Sequence, residues 1–106
     1  MYARISEFRG EPGKTAEEVR LARQQILPAA WLQEGFAGML LLSDSGRGRS
    51  LAVTLWYTEE DMKQSEEAVR NARAESAVKS GEKVASVERY EVALCELAPF
   101  GRSAGR

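Results

Sequence analysis

Polar and apolar residues alternate from Tyr2 to Phe8. Ala3 and Ile5 fall on one side, and Tyr2, Arg4, Ser6 and Phe8 on the other. A period of two predicts a strand. Gly10, Pro12 and Gly13 then interrupt the chain. From Thr15 the period changes. Val19, Ala22, Ile26 and Ala30 recur every three or four residues, as on the inner stripe of a helix. Thr15 and Glu18 have the spacing of a capping box. Pro28 lies inside this stretch and predicts a kink or a new turn, because it lacks an N–H and crowds the turn before it. Gly35 is a natural stop.

Phe36 to Ser43 is apolar almost throughout, which predicts a strand covered on both faces. Asp44 to Arg49 reads as a loop, and Leu51 to Tyr57 as a second apolar strand paired antiparallel to the first. Thr58 begins another capped helix, with Glu59, Glu60 and Asp61 at the positive end of its dipole. A break is expected at Ser65-Glu66-Glu67. The inner stripe beyond it is thin: Met62, Val69, Ala72, then Ala77 or Val78. Gly81 ends the helix, Val84 to Ala93 forms a last strand, and 94–106 is a tail.

The order βαββαβ is the ferredoxin-like α+β pattern, with residues 1–93 as one domain. One helical layer covers only one face of its antiparallel sheet, yet the central strands look apolar on both. A second copy of the chain would supply the missing cover, so a homodimer is expected. A domain of 106 residues buries only somewhat over ~60% of its unfolded surface, and a partner would add to that.

Composition removes several kinds of function. Fifteen basic residues against 16 acidic ones leave a net charge of −1, and the cations are scattered, so no nucleic-acid surface is expected. No apolar run has membrane-spanning length, and the first residues do not read as a signal peptide. The single cysteine, Cys95, fits a cytoplasmic location; no neighbouring cations activate its thiol. Histidine is absent. That argues against zinc, a facial-triad iron site, and serine or cysteine triads. Gly46-Arg47-Gly48-Arg49 reads as a solvated turn, since no helix follows it to hold a phosphate.

Several motifs then fall in a telling order. They are Ala3-Arg4, Ile26-Leu27-Pro28, Gly35-Phe36, Leu55-Trp56 with Thr58-Glu59-Glu60-Asp61-Met62, Ser65-Glu66-Glu67-Ala68, and Val84 to Val92. In this order the chain resembles the dimeric α+β barrel superfamily, in its antibiotic-biosynthesis-monooxygenase-like branch. The resemblance implies two sheets packed across a dimer and a pocket in each subunit between helices and sheet. Relatives of this kind include cofactor-independent oxygenases of aromatic substrates and haem-degrading enzymes. The haem degraders pair a Trp ending the third strand with an Asn on the first strand and a His on the second helix. Here Trp56 matches the Trp, but the first strand offers Arg4 and Ser6, and the helix offers Ala68. Only Met39, Met62, Tyr90 or Cys95 would remain as axial ligands, so haem degradation is disfavoured and no cofactor is expected.

Cofactor-free oxygenation asks the protein only to orient a phenol, stabilise its anion and exclude water. The candidate catalytic residues are Arg4, Trp56 and Tyr90, grouped on one sheet face by strand parity with Ser6, Thr54 and Glu88. Trp31, Trp56 and Met62 are candidate ligand-binding walls. Each has a plainer alternative. Trp56, Trp31 and Met62 would serve as packing residues, Arg4 would pair with Glu88 across strands, and Tyr90 would bond within the barrel. The rival function is a non-catalytic binding or interaction domain.

Overall fold

The computed structural model describes residues 1–99. Four strands are present among them: β1 (Tyr2–Arg9), β2 (Phe36–Asp44), β3 (Arg49–Trp56) and β4 (Lys83–Glu91). They form one antiparallel sheet in the order β2-β3-β1-β4. Helices α1 (Thr15–Leu21) and α2 (Leu27–Trp31) precede β2, joined by a π-helical turn over Ala22–Ile26. Helices α3 (Glu59–Gln64) and α4 (Glu66–Ser80) lie between β3 and β4. The architecture is the expected ferredoxin-like α+β one, and the strands depart from expectation only at their ends.

The register sorts the side chains into two faces. Arg4 stands opposite Thr54 and Arg89, Tyr2 opposite Trp56, and Ser6 opposite Ala52 and Val87. This face packs on the helices, and its core includes Phe8, Ile26, Ala30, Ala52, Trp56, Met62, Val69 and Ala77. The other face carries Ala3, Ile5, Val53, Leu51, Leu55, Leu40 and Leu42. Among the described residues no helix covers it, and Leu40 and Leu42 keep 50% and 49% of their surface exposed. The expectation that β2 is covered on both faces is therefore unmet in the isolated chain.

Local chemistry explains where the helices run. The Thr58 hydroxyl accepts from the Asp61 N–H at 3.0 Å and caps α3. Ser65 separates α3 from α4, and Gly81, at φ 74°, ends α4 in the left-handed conformation. The capping box expected at Thr15 does not form. Lys14 holds the N-cap position without a side-chain bond, and Thr15 Oγ1 lies 2.8 Å from Ser43 Oγ instead. Pro28 begins a new helical segment, as expected, directly after the π-helical turn. Just before that turn Leu21 is buried, while Val19, expected on the inner stripe, is exposed. In α4 the position of Val78 is also corrected: it is exposed, while Arg73, Ser76 and Ser80 are buried.

The chain leaves β4 after Glu91, and residues 92–99 have no regular structure. Leu94 to Leu97 thus do not extend the last strand, and Cys95 is exposed. The rest of the tail expected over 94–106 lies outside the described residues. Among the described residues, no helix is long and apolar enough to cross a membrane.

Candidate functional site

The sequence places Arg4, Trp56, Met62 and Tyr90 together; the structure unites the first three and separates the fourth. Trp56 is fully buried. Its ring meets Phe36 edge-on with centroids 5.6 Å apart, and its Nε1 donates to Thr54 Oγ1 at 3.1 Å. The Arg4 Cζ lies 5.6 Å from its centroid, within the range of a cation–π contact. Met62 is buried beside it, and its carbonyl accepts from Arg4 Nη2. This region is packed core. Trp56 and Met62 line neither of the two recesses described below. Phe36 and Arg4 pack directly against the Trp56 ring.

Arg4 is 1% exposed. Its Nη2 lies 3.0 Å from Glu66 Oε2 and donates to Ser65 Oγ at 3.1 Å. Arg89 grips the same carboxylate from β4, with Nη2 to Oε1 at 2.6 Å and Nε to Oε2 at 3.3 Å. Arg73 reaches it from α4 at 3.9 Å and donates to Ser6 Oγ at 3.3 Å. Three guanidiniums thus share one carboxylate. Burial opposes the charged form of Glu66, but the Arg89 hydrogen bond and the Arg4 and Arg73 charges hold its pKa below the usual carboxylate range. Burial lowers the pKa of Arg4, and Glu66 counters it. The expected Arg4–Glu88 pair is replaced by Arg4–Glu66. Glu88 stands opposite Ile5 and Tyr90 opposite Ala3, so both point to the uncovered face. Parity fails there because β1 pairs Arg4 with Arg89. Tyr90 is half exposed, and the Glu88 charge, followed by its hydrogen bond, raises its pKa. It is far from Arg4 in the sense that matters, across the sheet from it.

Trp31 is the candidate that lines open space. It is 68% exposed at the end of α2. On one side of it runs a groove of about 310 Å³ between α1, the π-helical turn, α2 and the edge strand β2, lined by Val19, Ala22, Arg23, Leu27, Trp31, Met39 and Leu41. Six of these seven side chains are apolar, and Arg23 is the charged one. On the other side is a shallower cleft of about 700 Å³, lined by residues 31–38 with Tyr57 and Asp61. The Trp31 and Phe36 rings meet at 5.4 Å, so Trp31, Phe36 and Trp56 form a row from surface to core. Sequence reasoning missed Val19, Arg23, Leu27 and Leu41 as groove residues.

One helical layer on a sheet ordered 2-3-1-4, with an opening between the first helical segments and the edge strand, defines a ferredoxin-like α+β domain. The fold is that of the antibiotic-biosynthesis-monooxygenase-like proteins. A variant of MhuD, solved with manganese protoporphyrin IX bound in its active site, matches with a TM-score of 0.66 at 22% identity, over 92% of this chain and 100% of that one. SnoaB, a cofactor-independent oxygenase from Streptomyces nogalater, matches with a TM-score of 0.67 at 10% identity, over 89% and 94% of the two chains. These likenesses concern the fold. By sequence, the uncharacterized protein Rv2558 of Mycobacterium tuberculosis is 31% identical over 94 residues, 89% of this chain. The chain spans 39% of the length of that relative. No protein-family model matches the sequence.

Proposed function

We propose that this chain binds a planar, apolar small molecule in the groove beside Trp31, and that an electron-rich phenol bound there reacts with oxygen without a cofactor. The observation that carries the reading is the groove itself. Its roughly 310 Å³ falls at the lower end of the range typical of ligand pockets, with apolar walls and one convergent charge. Arg23 would favour the phenolate over the phenol, and Trp31 would stack on the ring. At a methylene carbon activated by such a phenol, the two hydrogens leave with one oxygen atom as water. The other oxygen atom becomes the carbonyl, and the substrate supplies all four electrons. Arg4 and Trp56 support the wall from behind, through Phe36.

The test is a titration of 1,8-dihydroxyanthrone, followed by tryptophan fluorescence without oxygen and by an oxygen electrode with it. Saturable quenching and protein-dependent oxygen uptake are expected. Quenching without uptake would leave the second reading, a non-catalytic binding domain. That reading is favoured by the lack of any carboxylate or phenol side chain along the groove to act as a general base. Haem degradation is the third reading, disfavoured because the chain has no histidine and no first-strand Asn to accompany Trp56; a haemin titration should show no Soret shift.

A homodimer is proposed on the uncovered sheet face. Leu40, Leu42, Leu51 and Leu55 there form an apolar patch of the kind that marks an interface. Sedimentation should give twice the chain mass, and Leu40→Glu should halve it; a monomeric wild type at micromolar concentration would remove the proposal. A cytoplasmic location fits the lone, exposed Cys95.

A further inference from the structure

The cleft on the far side of Trp31 differs from the groove in its chemistry. Three aromatic side chains line it: Trp31, Phe36 and Tyr57. Trp31 and Tyr57 are 68% and 62% exposed, large surfaces for a monomer to leave in water. Two carboxylates, Glu34 and Asp61, share the same lining, and no lysine or arginine does. Among the described residues, neither carboxylate takes part in an ion pair or accepts a side-chain hydrogen bond.

The Asp61 carboxylate lies close against the α2–β2 connection. Gly35 adopts φ 77°, and a Cβ at that position would come within 2.1 Å of Asp61 Oδ2. Only glycine lets the α2–β2 connection pass this close to the carboxylate. The Tyr57 N–H donates to the Gly35 carbonyl at 2.9 Å, tying the connection to the end of β3. The same turn therefore passes beside the Asp61 carboxylate and bonds to the Tyr57 backbone.

Aromatic faces attract cations, as do carboxylates, and a site combining both suits an organic ammonium group. Trp31 borders both recesses, so a ring stacked on it from the groove can carry a substituent into the cleft. At the groove, Arg23 repels a cation and so orients the ligand. We propose that the cleft is the cation-recognising end of the ligand site, and that the natural ligand is a planar apolar molecule bearing a basic amine or quaternary ammonium group. This rests on the groove reading above.

Three naphthalene probes of nearly equal size separate the two claims by Trp31 fluorescence quenching: 1-naphthylmethylammonium, 1-naphthylmethanol and 1-naphthoate. The cation should bind about tenfold tighter than the alcohol, the worth of one partly desolvated charge contact, and the anion weakest. Asp61→Asn and Glu34→Gln together should abolish the preference while leaving the alcohol's affinity unchanged; Thr58 caps α3 through the Asp61 backbone, so the fold should survive. Equal binding of cation and alcohol by the wild type would overturn the proposal and leave the groove reading standing, as would a preference that persists in the double variant. Failure of all three probes to bind would overturn both.

Discussion

The two tryptophans stand at opposite ends of one aromatic row and experience opposite environments. Trp56 is enclosed by Phe36, Thr54 and Arg4, with no accessible surface. Trp31 lies on the outside of the same row, between a greasy groove and an acidic cleft. The difference shows that a sequence motif and a binding surface need not coincide. The residue carrying the family resemblance supports the wall, while the one that meets solvent belongs to no motif. Stability should therefore reside at Trp56 and recognition at Trp31.

The largest effect should come from Trp56→Ala. Removing a fully buried indole leaves a cavity and costs about 3–5 kcal/mol of unfolding free energy. Urea denaturation would measure it. A cost below about 1 kcal/mol would mean that the space beside Trp56 is open, and would return it to the ligand site. Next comes Glu66→Ala, which strands three guanidiniums, two of them buried. Glu66 keeps about a quarter of its side chain exposed, so the loss should be nearer 2 kcal/mol than the full cost of orphaning a buried ion pair. Arg89→Ala removes the most exposed of the three cations and should cost less than 1 kcal/mol. If Arg89→Ala were as damaging as Glu66→Ala, the cluster would be a single rigid unit instead of a core pair with a surface brace.

Much of this contrast was beyond the reach of sequence. The succession of strands and helices along the chain, the Thr58 cap, the break at Ser65 and the stop at Gly81 were legible, because each depends on residues within a few positions of one another. The β1–β3 face was legible too, since parity along two adjacent strands depends only on a common register. Tyr90 was misplaced because its face depends on how β4 docks against β1, a long-range choice that no residue in β4 announces. Arg73 and Glu66 were invisible for a similar reason. On a helix they read as surface charges, and only β1 and β4 beneath them make them a buried network. Trp31 was a candidate wall from sequence, and the structure sets it beside Val19 and Leu27 in the groove lining.

A third effect is read as a pH dependence in the part of the fold that braces α1. Glu82 follows Gly81 at the end of α4, with one carboxylate oxygen buried and unpartnered and the other 2.8 Å from Ser80 Oγ. Burial, then the facing Glu18 carboxyl, pushes its pKa from 4.5 to about 7, with the charge of Glu17 adding to the rise. A raised folded-state pKa contributes stability that is fully present below the unfolded value and fades as pH climbs through the folded one. Thermal stability should therefore fall between about pH 4.5 and 7 on account of this group. Glu82→Gln, which keeps a neutral side chain there, should flatten that decline. Glu66 acts in the opposite window, since its depressed pKa makes its contribution fade as pH drops below the usual carboxylate range. Equal slopes for wild type and Glu82→Gln would show that Glu82 titrates as an exposed acid.

The smallest effect on stability, and the sharpest on recognition, belongs to Trp31→Ala. The side chain is mostly in water, and its one aromatic contact, with Phe36 at 5.4 Å, is tilted and peripheral. Unfolding free energy should change by no more than about 0.5–1 kcal/mol. Ligand binding should nonetheless collapse, because the indole borders both recesses, alone among the described residues that line them. The cleft's remaining rings, Phe36 and Tyr57, would still face the carboxylates, so a residual preference for the ammonium probe over the alcohol should survive the general loss. Unchanged affinity in a folded Trp31→Ala protein would place the ligand elsewhere and dissolve the division of labour between the two tryptophans. A loss of affinity matched by a loss of several kcal/mol in stability would mean that Trp31, like Trp56, is a packing residue whose other half is covered by a second subunit.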